Sequence, residues 1–277
     1  MFVNQQIPFM KTIKSFLVLT AVLVSGLSFG QLNSPFFSQF KLTSFKTSFG
    51  PQADHYNNMS LGFMESRITD ASYERQYIDD LEPGNYIMST SGANLNLTAQ
   101  FVRTGEAVSV SRYEAFETSL GLHFGREVMI DFSDEDARYG SLDFMYQPYS
   151  NITYCDLQNE INLSATYKRG VSLFNALNLY SGVGANIGST VASQLMIFGN
   201  IASEDPEGIS ESVNESYSVS ETATSRLYIP LGAELVVMKK LRLSAETRLG
   251  MGYTHSFGNG GFSHFNYAVL GGIGWTL

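Results

Sequence analysis

Residues 235–253 read LVVMKKLRLSAETRLGMGY and alternate with period two on both sides of a lysine pair. Leu235 and Val237 lead in, and Leu241, Leu243, Ala245, Leu249, Met251 and Tyr253 lead out. Arg242, Glu246 and Arg248 stand between them. A period of two marks a strand with one apolar and one polar face. The run from 241 to 253 would extend about 43 Å at the ~3.3 Å rise of a strand residue. Strands of soluble domains usually hold about 5–6 residues, whereas a strand crossing a bilayer needs about 9–11. If the leucines face lipid, the charged alternates must point into a closed barrel.

The lysines also set a register. A two-residue turn at Lys239–Lys240 would oppose Val237 to Arg242 and mix the faces. A three-residue turn opposes Val237 to Leu241 and Leu235 to Leu243, which keeps them pure. Glu234 then lies opposite Ser244 and diagonal to Arg242 and Glu246, within reach of long side chains.

The same period recurs around 95–101, 116–124, 142–146, 161–167, 173–187, 227–237 and 265–277. Together with 241–253 these predict eight strands. Tight connections at YKRGV and VMKKL alternate with longer ones at 102–115, 147–157, 199–226 and 254–264. That order suits turns on one rim of a barrel and loops on the other. The span 126–138 is the exception, long and acidic on the short side. Pro230 lacks a ladder donor, so a bulge or a place above the bilayer is expected there. The polar faces carry Glu117, Asp143, Glu160, Lys168, Glu234, Arg242, Glu246 and Arg248. Eight strands enclose a lumen just wide enough for side chains to fill, and charges buried there must pair. A closed, salt-bridged lumen follows as an expectation.

From Met10 the chain reads MKTIKSFLVLTAVLVSGLSFGQ, a basic start, a short apolar core and small residues. This order predicts a signal peptide over 1–30, cut near Gly30–Gln31. Its removal takes away two lysines and no acids, so the net charge falls from −9 to −11. Without a basic patch, nucleic acid is not an expected partner. Residues 31–91 alternate only weakly. They are read as a periplasmic extension or partial plug, or as one more hairpin that would give ten strands. The barrel is placed at 92–277.

The span 199–226 is Ser-rich and holds Glu204, Asp205, Glu207, Glu211, Glu215 and Glu221 against one Arg. It is expected to be an acidic, mobile external loop. The lone Cys155 is assigned no role. No cofactor is expected, and no spacing of His or Cys suggests a metal site.

PLGAELVVMKKLRLSAETRLGMGYTHSFG and the terminal FNYAVLGGIGWTL resemble small outer-membrane β-barrels of Gram-negative bacteria, of the eight-stranded outer-membrane protein A kind. The segment ending SFGQ resembles Bacteroidetes signal peptides. The resemblance implies an all-β, closed, antiparallel up-and-down transmembrane barrel in the outer membrane. Contact with outer-membrane lipid is then expected, with a structural role or a role in binding another envelope protein. Chains of this kind usually end on an aromatic residue, whereas this one ends on Leu277 with Trp275 nearby. Three alternatives stay open: a narrow porin-like channel, a surface lipid hydrolase using His255, Ser256, Ser263 or His264, and a secreted β-sandwich. Catalysis is not the expected role.

Overall fold

The computed structural model describes residues 39–56, 61–70, 73, 82–87, 89–103, 112–133, 150–174, 176–201, 211–238, 240–256 and 260–277. They form β1 (Phe40–Tyr56), the helical turn α1 (Leu61–Ser66), β2 (Glu82–Ile87), β3 (Ser89–Arg103), β4 (Arg112–Ser133) and β5 (Asn151–Leu173). There follow β6 (Leu177–Ile201), β7 (Glu211–Ser218), β8 (Thr222–Val237), β9 (Leu241–Ser256) and β10 (Gly260–Thr276).

Eight of these strands close a ring in the order β1-β3-β4-β5-β6-β8-β9-β10, with β10 antiparallel to β1. Stepping across paired positions from Phe45 passes Ala99, Thr118, Ala165, Ala185, Leu227, Met251 and Phe265. The path re-enters β1 at His55, ten residues beyond its start. This stagger is the shear of a closed barrel, whose strands tilt by about 35–45°. The molecule is a closed antiparallel β-barrel, not an open sandwich.

The eight strands are not quite the predicted eight. Residues 40–56, expected to belong to an extension, form the wall strand that joins β3 to β10. The barrel therefore begins before residue 92. The predicted strand at 142–146, with Asp143, lies outside the described residues, as do the predicted signal segment and Gly30–Gln31. With β1 in the ring, β3 runs opposite to the direction expected for it. The strand ends at Arg103 and Arg112, Leu173 and Leu177, and Val237 and Leu241 now share one rim. The far ends of β1, β4, β6 and β9 share the other, so the apparent exception at 126–138 disappears, while the connection expected to be long at 254–264 shortens to the three residues between Ser256 and Gly260.

The tight turn expected at YKRGV is also displaced. Tyr167, Arg169, Val171 and Leu173 keep their alternation, β5 runs through the motif, and the chain turns at 174–176. This turn and that at 238–240 each span three residues and begin on a left-handed residue, Phe174 (φ 54°) and Met238 (φ 53°). The second sets Leu235 against Leu243 and Val237 against Leu241, the expected register. Pro230 pairs with Arg248 without a register shift; only the ladder to β6 is interrupted, between Ser181↔Leu231 and Gly184↔Tyr228. No bulge was needed, because the missing donor faces that gap.

Beyond the ring proper, β4, β5 and β6 continue through spans expected to be connections. Irregularities separate the two parts. One lies between His123 and Arg126, where Gly125 takes φ +68°, and another lies opposite Asn159, where Ala192 takes φ 53°. Inward positions below are polar and above are apolar: Val128, Ile130 and Phe132 on β4, Ile152 and Tyr154 on β5, Leu195 and Ile197 on β6. Strand β7 extends this sheet along β6, and β2 along β4. Tyr56, Met64 of α1, Val213 and Phe262 complete the apolar cluster.

Leu243 is 40% exposed on the outer face, whereas Glu246 is 7% exposed and points inward. In a variant without the buried Cys155, a cysteine at 243 should react with a lipid-confined maleimide in the membrane-embedded protein, and one at 246 should not. Equal reaction at both sites, or reaction at 246 alone, would reverse the faces.

Candidate functional site: the filled lumen

Alternation places a polar side chain inside at every second position, and the ring brings those of distant strands together. In the half nearer the tight turns, Lys46 of β1 bonds Glu117 of β4 and lies 3.4 Å from Glu234 of β8. Lys168 of β5 lies 2.7 Å from Glu117 and also bonds Glu246 of β9. Arg248 Nε donates to Glu246 at 2.7 Å, and Arg242 Nη1 to Glu234 at 2.6 Å. The Gln100 amide donates to both Glu117 and Glu234 at 3.0 Å and accepts from Arg242 at 2.9 Å.

A second cluster lies toward the long connections. Asp54 of β1 accepts from Arg126 at 3.0 Å, Arg226 at 3.2 Å and Asn266 at 2.9 Å. Arg226 also donates to Glu160 at 2.8 Å, and His264 Nε2 stands 3.7 Å from Asp54. Above it, Arg67 pairs with Asp156 and donates to the Ser220 carbonyl at 3.1 and 3.3 Å. Both clusters are buried. In such a place an unpaired charge is costly, so pairing across the ring holds opposite walls together.

Among the lower ion pairs little room remains. The cavity among Lys46, Ser48, Thr98, Glu117, Lys168, Ser244, Glu246, Arg248 and Leu270 has a volume of about 10 Å³, which is room for about one water molecule. Each end is also covered. At the tight-turn rim, Tyr113 and Tyr180 stand 5.8 Å apart between ring centroids, and Lys168 Nζ lies 4.4 Å from the Tyr180 ring. At the other end the apolar cluster under α1 covers the upper ion pairs. Residues 67–69 are tied there to 218–220 by backbone bonds and an Ile68↔Val219 bridge.

Of the residues expected inside, Glu117, Glu160, Lys168, Glu234, Arg242, Glu246 and Arg248 all lie in the lumen. Sequence reading missed Lys46, Asp54, Arg126 and Arg226. Lys46 and Asp54 sit on the unassigned β1, Arg126 follows the phase slip at Gly125, and Arg226 precedes the point where β8 was expected to begin. The Phe45-Lys46-Thr47 alternation was the available signal for the first. The acidic segment is less loop-like than expected: Glu211 and Glu215 lie on β7, and Glu221 just precedes β8. Glu204, Asp205 and Glu207 lie outside the described residues. His255 faces outward and His264 inward, so these two histidines do not share a site. Among the described residues, no three His, Cys, Asp or Glu side chains converge to hold a metal ion.

The outer face is a continuous apolar belt. Leu97, Ile187, Leu227, Ile229, Met251 and Val269 are each more than half exposed. Phe124, Tyr253, Phe265 and Trp275 lie toward its margins. An exposed apolar surface of this extent around a paired, edgeless wall is the architecture of a transmembrane β-barrel.

No protein-family model matches the chain, and no curated protein does. Among solved structures it is similar to Neisserial surface protein A, with 11% identity, TM-score 0.32, and 84% of this chain and 97% of that chain covered. It is also similar to Ail, the attachment invasion locus protein of Yersinia pestis, with 10% identity, TM-score 0.31, and 86% and 100% covered. The outer membrane protein OprG from Pseudomonas aeruginosa gives 11% identity, TM-score 0.31, and 86% and 97% covered. The barrel itself rests on the strand ladders and the two-faced wall, not on these likenesses.

Proposed function

We propose that this chain is an outer-membrane β-barrel whose role is structural or partner-binding, with a lumen that does not conduct. The observation that carries the reading is the filled interior: ion pairs linking β1, β4, β5, β8 and β9, with about 10 Å³ left among them. The apolar belt supports insertion in a membrane. The three-residue turns after β5 and β8 on one rim, and the long connections after β1, β4 and β6 on the other, support entry from the periplasm. Partner contacts then fall to the external connections. Residues 57–88, 134–150 and 202–221 hold sixteen acids against three bases, which favours a cationic envelope or surface partner.

Planar-bilayer recording tests the closed lumen. Purified protein, inserted as shown by its protection from protease, is expected to give no steady single-channel steps. Reproducible steps of one amplitude would replace this reading with a narrow channel.

A further inference from the structure

The outer face of the ring is nearly free of charge. Outward positions of β1, β6, β8, β9 and β10 within the apolar belt carry no Asp, Glu, Lys or Arg. Apart from Glu127 and Asp131 on the far part of β4, the charged outward side chains of the ring stand together near the tight-turn rim: Arg103 on β3, Arg112 and Glu114 on β4, and Arg169 on β5. Glu114 accepts from Arg103 at 2.8 Å and lies 3.8 Å from Arg169. One acid against three bases leaves a net charge of +2.

Arg169 is 62% exposed, although its neighbours on the same face are Tyr167 and the exposed Val171. An uncompensated charge on a lipid-facing strand is costly. Long basic side chains avoid that cost by reaching the headgroup layer, where a guanidinium matches a phosphate with two parallel hydrogen bonds. Above the arginines, beyond the outward row Phe101, Phe116 and Tyr167, the outer surface is grooved. The groove crosses the wall from Trp275 on β10 to Ile187 on β6, and on β3, β4 and β5 it is lined by Ala99, Thr118 and Ala165 and by Leu97, Leu120 and Leu163. A basic group below and an apolar furrow above match the two ends of a phospholipid.

We propose that Arg103, Arg112 and Arg169 bind the phosphate of an anionic phospholipid in the leaflet on the tight-turn side, with an acyl chain in the groove. The proposal rests on the outer-membrane reading. Glu114 competes with the phosphate for the same guanidinium groups and limits the site's strength.

The test is lipid retention. The full chain is reconstituted in equal phosphatidylglycerol and phosphatidylcholine with matched acyl chains, and co-purifying lipid is counted by native mass spectrometry. Phosphatidylglycerol should be retained about tenfold over phosphatidylcholine, as expected for a few basic side chains at an anionic surface. R103Q/R112Q/R169Q should bring the ratio near one. K240Q, on a turn elsewhere on the rim, should leave it unchanged. If the triple variant fails to fold, two single variants decide: E114Q should raise the ratio and R169Q lower it. Equal retention of both lipids by the folded wild type, or a wild-type ratio in the folded variants, overturns the site. Failure to insert into vesicles of either lipid would instead sink the membrane reading beneath it.

Discussion

Arg226→Leu is expected to destabilise the barrel by about 3–5 kcal/mol, the usual cost of removing one partner from a buried charge pair. Arg226 lies between Asp54 of β1 and Glu160 of β5 and bonds both. Its loss leaves two carboxylates to share Arg126, which reaches Asp54 at 3.0 Å and Glu160 only at 3.5 Å. Urea unfolding in lipid vesicles reads the change as a lowered midpoint at unchanged slope. Arg226→Leu with Glu160→Leu should recover part of the loss, because Arg126 can then serve Asp54 alone. A midpoint drop worth less than about 1 kcal/mol, the range of exposed pairs, would mean that water reaches this cluster. The filled-lumen reading would fail with it.

The second large effect lies on the opposite face. Leu249→Arg should cost about 2–4 kcal/mol and lower the folded yield, because an arginine at mid-bilayer has neither water nor a partner. Leu249 is 41% exposed and faces outward between Thr247 and Met251, midway along the apolar run of β9. Leu243→Arg should cost less. It stands one outward position from the rim residue Leu241, where a long side chain can reach the headgroups. Folded yield after dilution from urea into vesicles measures both. If Leu243→Arg proved the more damaging, the membrane would sit lower on the barrel than its apolar belt indicates. If neither variant affected folding into vesicles, lipid would not be what meets this face.

How far this architecture can be read from sequence depends on the element. The hairpin at 235–253 was legible almost completely. Its alternation fixes both faces, and only a three-residue turn keeps them pure, which is the pairing of Leu235 with Leu243. β3, β10 and the lower parts of β4 and β5 were legible for the same reason. β1 was not. Gly50 and Pro51 interrupt its apolar run, and its partners lie about fifty residues downstream and at the far end of the chain. Nothing local distinguishes such a strand from a short irregular segment. The upper halves of β4, β5 and β6 were lost differently. At Gly125 and Ala192 the phase slips, and beyond the slips it is the apolar residues that point inward. A rule that assigns apolar side chains outward reads such stretches as loops.

What the sequence determined by itself is the two-faced wall, because period two is a property of each strand taken alone. Seven of the eight charges expected inside follow from it, since within a stretch free of phase slips a residue's side of the sheet depends only on its parity along the strand. Which charges meet was decided by tertiary structure. Asp54 and Arg226 are 172 positions apart, and Lys46 and Glu234 are 188 apart. Their contact depends on closure of β1 against β10 and on the ten-residue stagger around the ring, neither of which is written in any one segment. The cap was decided in the same way: Met64, Phe132, Leu195 and Phe262 come from four separate stretches, and the irregularities in β4 and β6 turn Phe132 and Leu195 toward the other two. Local alternation gives a strand its faces, but only closure of the whole ring makes one of those faces an interior.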